Sequence, residues 1–302
     1  MPHLLTSIFI GATLCLPVLP APAQVSRAPQ QFQIFDSRGL PAPLPQIVER
    51  CGKADVVFWG EEHDDAVGHA LQARFFGQLI ARYKTSRQVA LSLEMFERDT
   101  QVVLNEYLAG LITEKQLLSD SRPWDNYSRD YKPLVLLAKE NGLAVVAANA
   151  PRRYVNLVAR RGRAALQQLS PLAKSWLAPL PYPAASAAYA RKFKALMGDA
   201  AAGAGMGMHG GDILDSQALW DATMADSLSR ALKKSKRPLI LHLSGRFHSE
   251  GKLGTVEQLL NDSPQAKVCV VTVVSGSTTF NVKTQAGVGD FVILTQSSKY
   301  SD

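Results

Sequence analysis

The chain has 302 residues, 46% of them hydrophobic, and its 33 Lys and Arg against 26 Asp and Glu give a formal net charge of +7. That apolar share excludes a disordered chain, the length suits one large domain or a domain with an insertion, and three cysteines make no disulfide framework. The basic residues are dispersed, with denser spots at Arg152-Arg153, Arg160-Arg161-Arg163 and LKKSKR (232–237), and no nucleic-acid-binding motif accompanies them. Solvated helix ends are the plain reading of these spots; attraction to an anionic ligand or a membrane surface is the sharper one.

Residues 1–23 read as a secretory signal peptide, because the uncharged apolar run closes on Ala21-Pro22-Ala23. Pro17, Pro20 and Pro22 break that run short of the ~20 residues a bilayer span needs, and no later run is long enough. Cys15 follows Ala12-Thr13-Leu14, which is no lipobox, so the expectation is an exported, soluble protein of the periplasm or cell envelope. Residues 24–46, rich in Pro and Gln, read as a surface segment, and 47–302 as the folded domain.

Within that domain, short β-branched runs lie at 55–59, 88–93, 143–148, 238–243 and 267–274. Their nearly continuous apolar character is that of strands buried on both faces. Between them, 66–83 places apolar residues at 67, 71, 75, 79 and 80, a helical stripe, and RDTQVVLNEYLAGL, YKPLVLLAKENG and 216–234 follow the same period. The expected fold is α/β: a mainly parallel sheet with helices on both faces. The rhythm breaks at about 162–215, which reads as a small helical insertion; its Gly- and Ala-rich end, carrying His209, could form a lid. Cys51 and Cys269 could pair in an oxidising compartment, although Cys269, inside VCVVTVV, reads first as a small hydrophobe.

Each predicted strand runs into a polar cluster: Gly60-Glu61-Glu62-His63, then Glu94, then Asn149 with Arg152-Arg153-Tyr154, then Gly245-Arg246-Phe247-His248. In an open parallel sheet the carboxyl ends of the strands share one edge, so these clusters would meet in one crevice. Two histidines with two glutamates suit a divalent metal or general acid–base work, and Gly-x-x-His recurs at 60–63 and 245–248. The plain alternatives are hydrogen-bonded pairs and helix caps. Asp64-Asp65 reads as such a cap for the helix from 66, and His242 as a buried core histidine. Tyr127 and Tyr131, four apart in WDNYSRDYKPL, and Tyr154 after two arginines could supply a tyrosinate for ferric haem, with arginine meeting the propionates. Their plain reading is amphipathic packing.

VVFWGEEHDDAVGHALQ, LSLEMFERD, WDNYSRDYKPLVLLAKENGLAVVAANAPRR and LILHLSGRFHSEGKLGT together resemble the ChaN family of haem-binding proteins, within the Tiki/TraB and erythromycin-esterase-like group, over most of residues 55–275. The resemblance implies a sheet flanked by helices and a role in haem and iron uptake. It also implies, in some members, haem held between two subunits of a homodimer, with a tyrosine on iron and a histidine from the second subunit near the propionates. Carried over, Glu61, His63, Glu94 and His248 match the shared polar centre. Tyr127, Tyr131 and Tyr154, with Arg152 and Arg153, become the haem-binding candidates, and His209 the histidine offered to the other subunit. Members are often lipid-anchored, and this sequence departs from that. Related branches use the polar centre as a metal-dependent hydrolase site. Two readings therefore stand: a haem-binding protein of the envelope serving uptake or storage, or a hydrolase working through Glu61, His63, Glu94 and His248, with or without a divalent metal.

Overall fold

The structure, a computed structural model, describes residues 31–197 and 213–296. Residues 1–23 and His209 lie outside the described residues. Seven strands form one sheet: β1 (Phe32–Asp36), β2 (Val56–Glu61), β3 (Gln88–Glu97), β4 (Ala144–Asn149), β5 (Pro238–Gly245), β6 (Val268–Ser275) and β7 (Phe291–Thr295). Their order is β1-β7-β6-β2-β5-β3-β4. Every neighbouring pair is parallel except β1 with β7. The mainly parallel α/β fold expected from the five β-branched runs is the observed one.

Two strands exceed that expectation. β1 lies inside the stretch read as a surface segment, where Phe32–Asp36 pairs antiparallel with β7 and closes the sheet edge. β7 is the short apolar run FVILT, buried throughout. Among the described residues, no helix is long and apolar enough to cross a membrane.

The alternation of side chains along each strand sorts the core into two layers. Val57 and Trp59 of β2, with Leu91 and Leu93 of β3, face one way, toward helices Leu44–Cys51, Ala66–Tyr83 and Lys132–Glu140. Val56 and Phe58 face the other way, toward helices Ile213–Lys233 and Thr255–Asp262. Fully burying one such apolar side chain is worth about 1.5–3 kcal/mol, so these two layers carry the fold. Asp65 caps the helix Ala66–Tyr83, its carboxylate accepting from the Val67 N–H at 3.1 Å. Cys51 and Cys269 are disulfide-bonded, tying the helix Leu44–Cys51 to β6; the small-hydrophobe reading of Cys269 gives way to a covalent one.

Beyond Arg161 the chain forms short helical pieces, Arg163–Gln168, Pro171–Ser175 and Ala187–Met197. Leu166, Leu177 and Tyr182 from this region pack with Leu219 and Ala222 of the helix Ile213–Lys233. That packing brings the helix and the insertion up beside the carboxyl ends of β2, β5 and β3.

Candidate functional site

Because β2, β5 and β3 are sheet neighbours, their carboxyl ends stand side by side. Glu61 ends β2, Gly245 ends β5 and Glu94 lies near the end of β3. Period two puts Glu61 on the same face as Trp59, inside the fold, and it is 2% exposed. An unpaired carboxylate buried there would cost several kcal/mol. It is not unpaired: the Tyr131 hydroxyl donates to its Oε1 at 2.5 Å, and His63 Nδ1 lies 3.0 Å from the same oxygen. The second oxygen has no hydrogen-bond partner, and His69 Nδ1 stands 3.6 Å from it.

His63 sits in the turn after β2 and is held from three sides. Its backbone carbonyl lies 3.1 Å from His69 Nε2 and accepts from Asn126 Nδ2 at 3.3 Å, and its ring meets the Trp124 ring edge-on, centroids 4.8 Å apart. The far nitrogen, Nε2, approaches Gly245 so closely that a Cβ there would sit 2.9 Å from it. This close approach, and not a special backbone angle, is what demands glycine at 245. Burial opposes charging the His63 ring, but the hydrogen bond to Glu61 and the charges of Glu94 and Glu61 outweigh it and raise its pKa above 6.5.

A second carboxylate–imidazole pair stands across Gly245. Glu94 accepts the Gly245 backbone N–H at 2.8 Å through Oε2, and its Oε1 lies 3.7 Å from His248 Nε2. On the other side of that ring, His248 Nδ1 is 2.9 Å from Asp221 Oδ1, which also accepts from the Thr255 hydroxyl at 2.8 Å. Burial opposes the His248 charge, yet Asp221 and Glu94 together push its pKa up to about 9. Asp221 escaped the sequence reading because it lies mid-helix among polar positions that look solvated. The helix Ile213–Lys233 is buried on most sides, and Asp221 is 2% exposed.

Above these groups opens a crevice of about 430 Å³, lined among others by His63, Trp124, Arg152, Trp220, Phe247 and His248. Trp124 and Trp220 were not among the expected site residues; single tryptophans carry no periodic signal. Arg152 makes no ion pair among the described residues, whereas Arg122 pairs with Glu97 and Asp99 at 3.0 Å and Arg153 with Asp99 at 2.6 Å. So of the two arginines singled out in the sequence, Arg152 faces the crevice uncommitted and Arg153 is tied to its neighbours.

The tyrosines do not line the crevice. Tyr131 is fully buried beneath it and bonded to Glu61, and Tyr127 packs edge-on against Phe96 in the main core. Burial pushes the pKa of both phenols up, and the Glu61 charge adds to the effect on Tyr131. Tyr154 is half-buried, with the Arg153 guanidinium 4.5 Å above its ring. His242 is the buried core histidine expected, 2.9 Å from the Ser92 hydroxyl and pushed down to about 3 by burial and by the His248 charge.

Among the described residues, no three His, Cys, Asp or Glu side chains are grouped to hold a metal ion. His63 and His248 face each other's neighbourhood, but Glu61, Glu94 and Asp221 are each committed to a separate hydrogen bond. The donor set does not fit the divalent-metal centre expected from residue type alone.

A family model described as "Haem-binding uptake, Tiki superfamily, ChaN" matches residues 47–259, which span all of these groups. The chain belongs to this family. Among solved structures, ChaN of Campylobacter jejuni, described as binding haem cofacially, is 16% identical, with a TM-score of 0.64, over 89% of this chain and 98% of that one. At such identity the likeness speaks for the fold. An erythromycin esterase, EreC in its open conformation, covers 89% of this chain and 83% of its own at 12% identity and a TM-score of 0.48. Among curated proteins, the chloroplastic Protein RETICULATA-RELATED 5 of Arabidopsis thaliana is 27% identical over 143 residues, 43% of this chain. The match spans 19% of that longer protein.

Proposed function

We propose that this chain binds haem in the crevice above β2, β5 and β3, with His63 Nε2 turned to the iron. One observation carries the reading. His63 lines an aromatic, arginine-edged crevice with no hydrogen bond at Nε2 among the described residues, while its other nitrogen is held by the buried Glu61. That is how ligating imidazoles are fixed and made basic: the second ring nitrogen donates to a carboxylate. The crevice falls within the ~300–1,000 Å³ range of cofactor sites. Trp124, Trp220 and Phe247 offer ring faces and edges for the porphyrin, and the uncommitted Arg152 suits a propionate. Haem supplies the iron; the chain supplies a ligand, a cation and an apolar wall. Tyr131 then acts through Glu61, positioning His63, and Tyr154 is the least buried of the three candidate tyrosines.

The family description and the leader-like first 23 residues support a role in haem or iron uptake or storage in the cell envelope. A homodimer with haem at its interface is part of the same proposal, and the cofacial haem binding described for the Campylobacter jejuni protein supports it. Titration of the purified protein with haemin tests the assignment. A saturable Soret shift at about one haem per chain, lost in His63→Ala and kept in Glu94→Gln, is expected. A flat titration, or an unaltered one in His63→Ala, overturns it.

The hydrolase reading draws on the two carboxylate–imidazole pairs, Glu61–His63 and Asp221–His248, which flank Glu94. Such pairs can move protons to and from a substrate. A panel of esters and peptides separates the two: turnover that disappears in Glu94→Gln, with haemin affinity unchanged, would favour hydrolysis.

A further inference from the structure

The LKKSKR motif at 232–237 plays no part in the crevice. It lies at the opposite end of the sheet, where the amino ends of β2, β5 and β6 meet. There Lys53, Arg87, Lys236, Arg237 and Lys267 line one concavity of about 470 Å³. Lys234, Lys236, Arg237 and Lys267 are exposed and form no ion pair among the described residues. Of the acids nearby, Asp55 is spent on Arg87 at 3.3 Å, and Glu49 is shared by Lys53 at 3.7 Å and Arg82 at 3.8 Å.

A second feature joins this pole. A groove of about 880 Å³ runs along the outer edge of β4, and it shares Arg87 and Pro238 with the basic concavity. Its floor is cut by small side chains, Ala90, Ala144 and Val146, and its wall is Ala231 of the helix Ile213–Lys233. Bulkier residues at these positions would close it. Along β4 the groove follows residues 143–147, about 13 Å of strand. Lys84 and Lys234 stand at the basic end.

A cationic concavity opening into a groove with an apolar floor and a polar rim that includes Gln101, Asn105 and Arg230 is complementary to an anionic amphiphile. We propose that this pole docks on an anionic phospholipid surface, the headgroup phosphates meeting Lys234, Lys236, Arg237 and Lys267 and one acyl chain entering the groove beside β4. Clusters of four to eight Lys and Arg bind such surfaces, and the pole has that number within one concavity and its rim. Docked this way, the haem crevice at the other end of the sheet would face away from the bilayer. The proposal stands whether or not haem binds there.

Co-sedimentation of the full chain with vesicles tests it. The wild-type protein should pellet with phosphatidylglycerol vesicles at low ionic strength, not with phosphatidylcholine vesicles, and should be released by high salt as screening sets in. Changing Lys234, Lys236, Arg237 and Lys267 to Gln should weaken the partition by at least about a hundredfold, with His63→Ala unchanged. A tryptophan placed on the exposed rim of the groove, Asn105→Trp, should be quenched by phosphatidylglycerol brominated on its acyl chains, beyond the quenching of the native tryptophans. No sedimentation with anionic vesicles, equal binding to neutral ones, or an indifferent Gln variant overturns the proposal. So does preference for an acidic polypeptide or nucleic acid in competition. Sedimentation without quenching of the Asn105→Trp reporter overturns the acyl-chain assignment.

Discussion

Asp221→Asn should change how the stability of this protein depends on pH, and the structure sets the size of the change. His248 has a folded pKa of about 9 against an ordinary 6.5, because Asp221 and Glu94 outweigh the burial that opposes its charge. A group whose pKa is raised in the folded state stabilises that state when protonated. The contribution is therefore complete below pH 6.5 and is lost as pH rises from there to about 9. The difference of about 2.5 in pKa corresponds to a stabilisation on the order of 3 kcal/mol. The side chain is 9% exposed, so solvent screens little of it. Asparagine keeps the shape of Asp221 and an oxygen for Thr255, but removes the nearest charge. Urea unfolding across that pH range is the assay. The wild type should lose stability steeply above pH 6.5, and Asp221→Asn should start lower and fall much less. Parallel curves for the two proteins would refute the reasoning and show that His248 draws its charge from elsewhere.

The remaining expectations concern the crevice and the fold around it. Gly245→Ala places a methyl group 2.9 Å from His63 Nε2, so haemin affinity should drop at least tenfold, and urea unfolding should show a cost of about 1–3 kcal/mol as the ring is displaced. Tyr131→Phe removes one of the two donors on a buried carboxylate; a loss of about 1–3 kcal/mol in stability is expected, with weaker haemin binding because His63 is less firmly set. His63 must be neutral to ligate iron and its pKa is raised, so haemin affinity should fall as pH drops through that value, and a pH series of titrations checks the direction. Cys51→Ser, or reduction, opens a link between residues 218 apart in sequence and should cost about 2–5 kcal/mol in thermal or urea unfolding.

Much of this arrangement is legible in the sequence. The five β-branched runs became β2 to β6, since strands covered on both faces announce themselves by unbroken apolar character. The convergence of Glu61, Glu94 and Gly245 followed from parallel strands sharing one carboxyl edge, and Asp65 capped its helix as its position foretold. β1 was not legible. Phe32–Asp36 is five residues long, sits in Pro- and Gln-rich sequence and gains its strand character only from pairing with β7. Asp221 was hidden by its helix, where a polar residue normally faces water, and its burial depends on the insertion packed over it. The tyrosines misled for the opposite reason. Residue type marked Tyr127 and Tyr131 as ligand candidates, but the π-helical turn Tyr127–Tyr131 turns both into the core, where one phenol braces Glu61 and the other fills space. Chemistry read from residue types names the groups present; it takes packing to say which nitrogen or oxygen faces the ligand.

The most direct test is a crystal structure of the protein with haem bound. Iron should lie at bonding distance from His63 Nε2, with the porphyrin against Trp124 and Trp220 and a propionate at Arg152. Haem found outside this crevice, or held there by a tyrosine with the His63–Glu61 pair unengaged, would contradict the account.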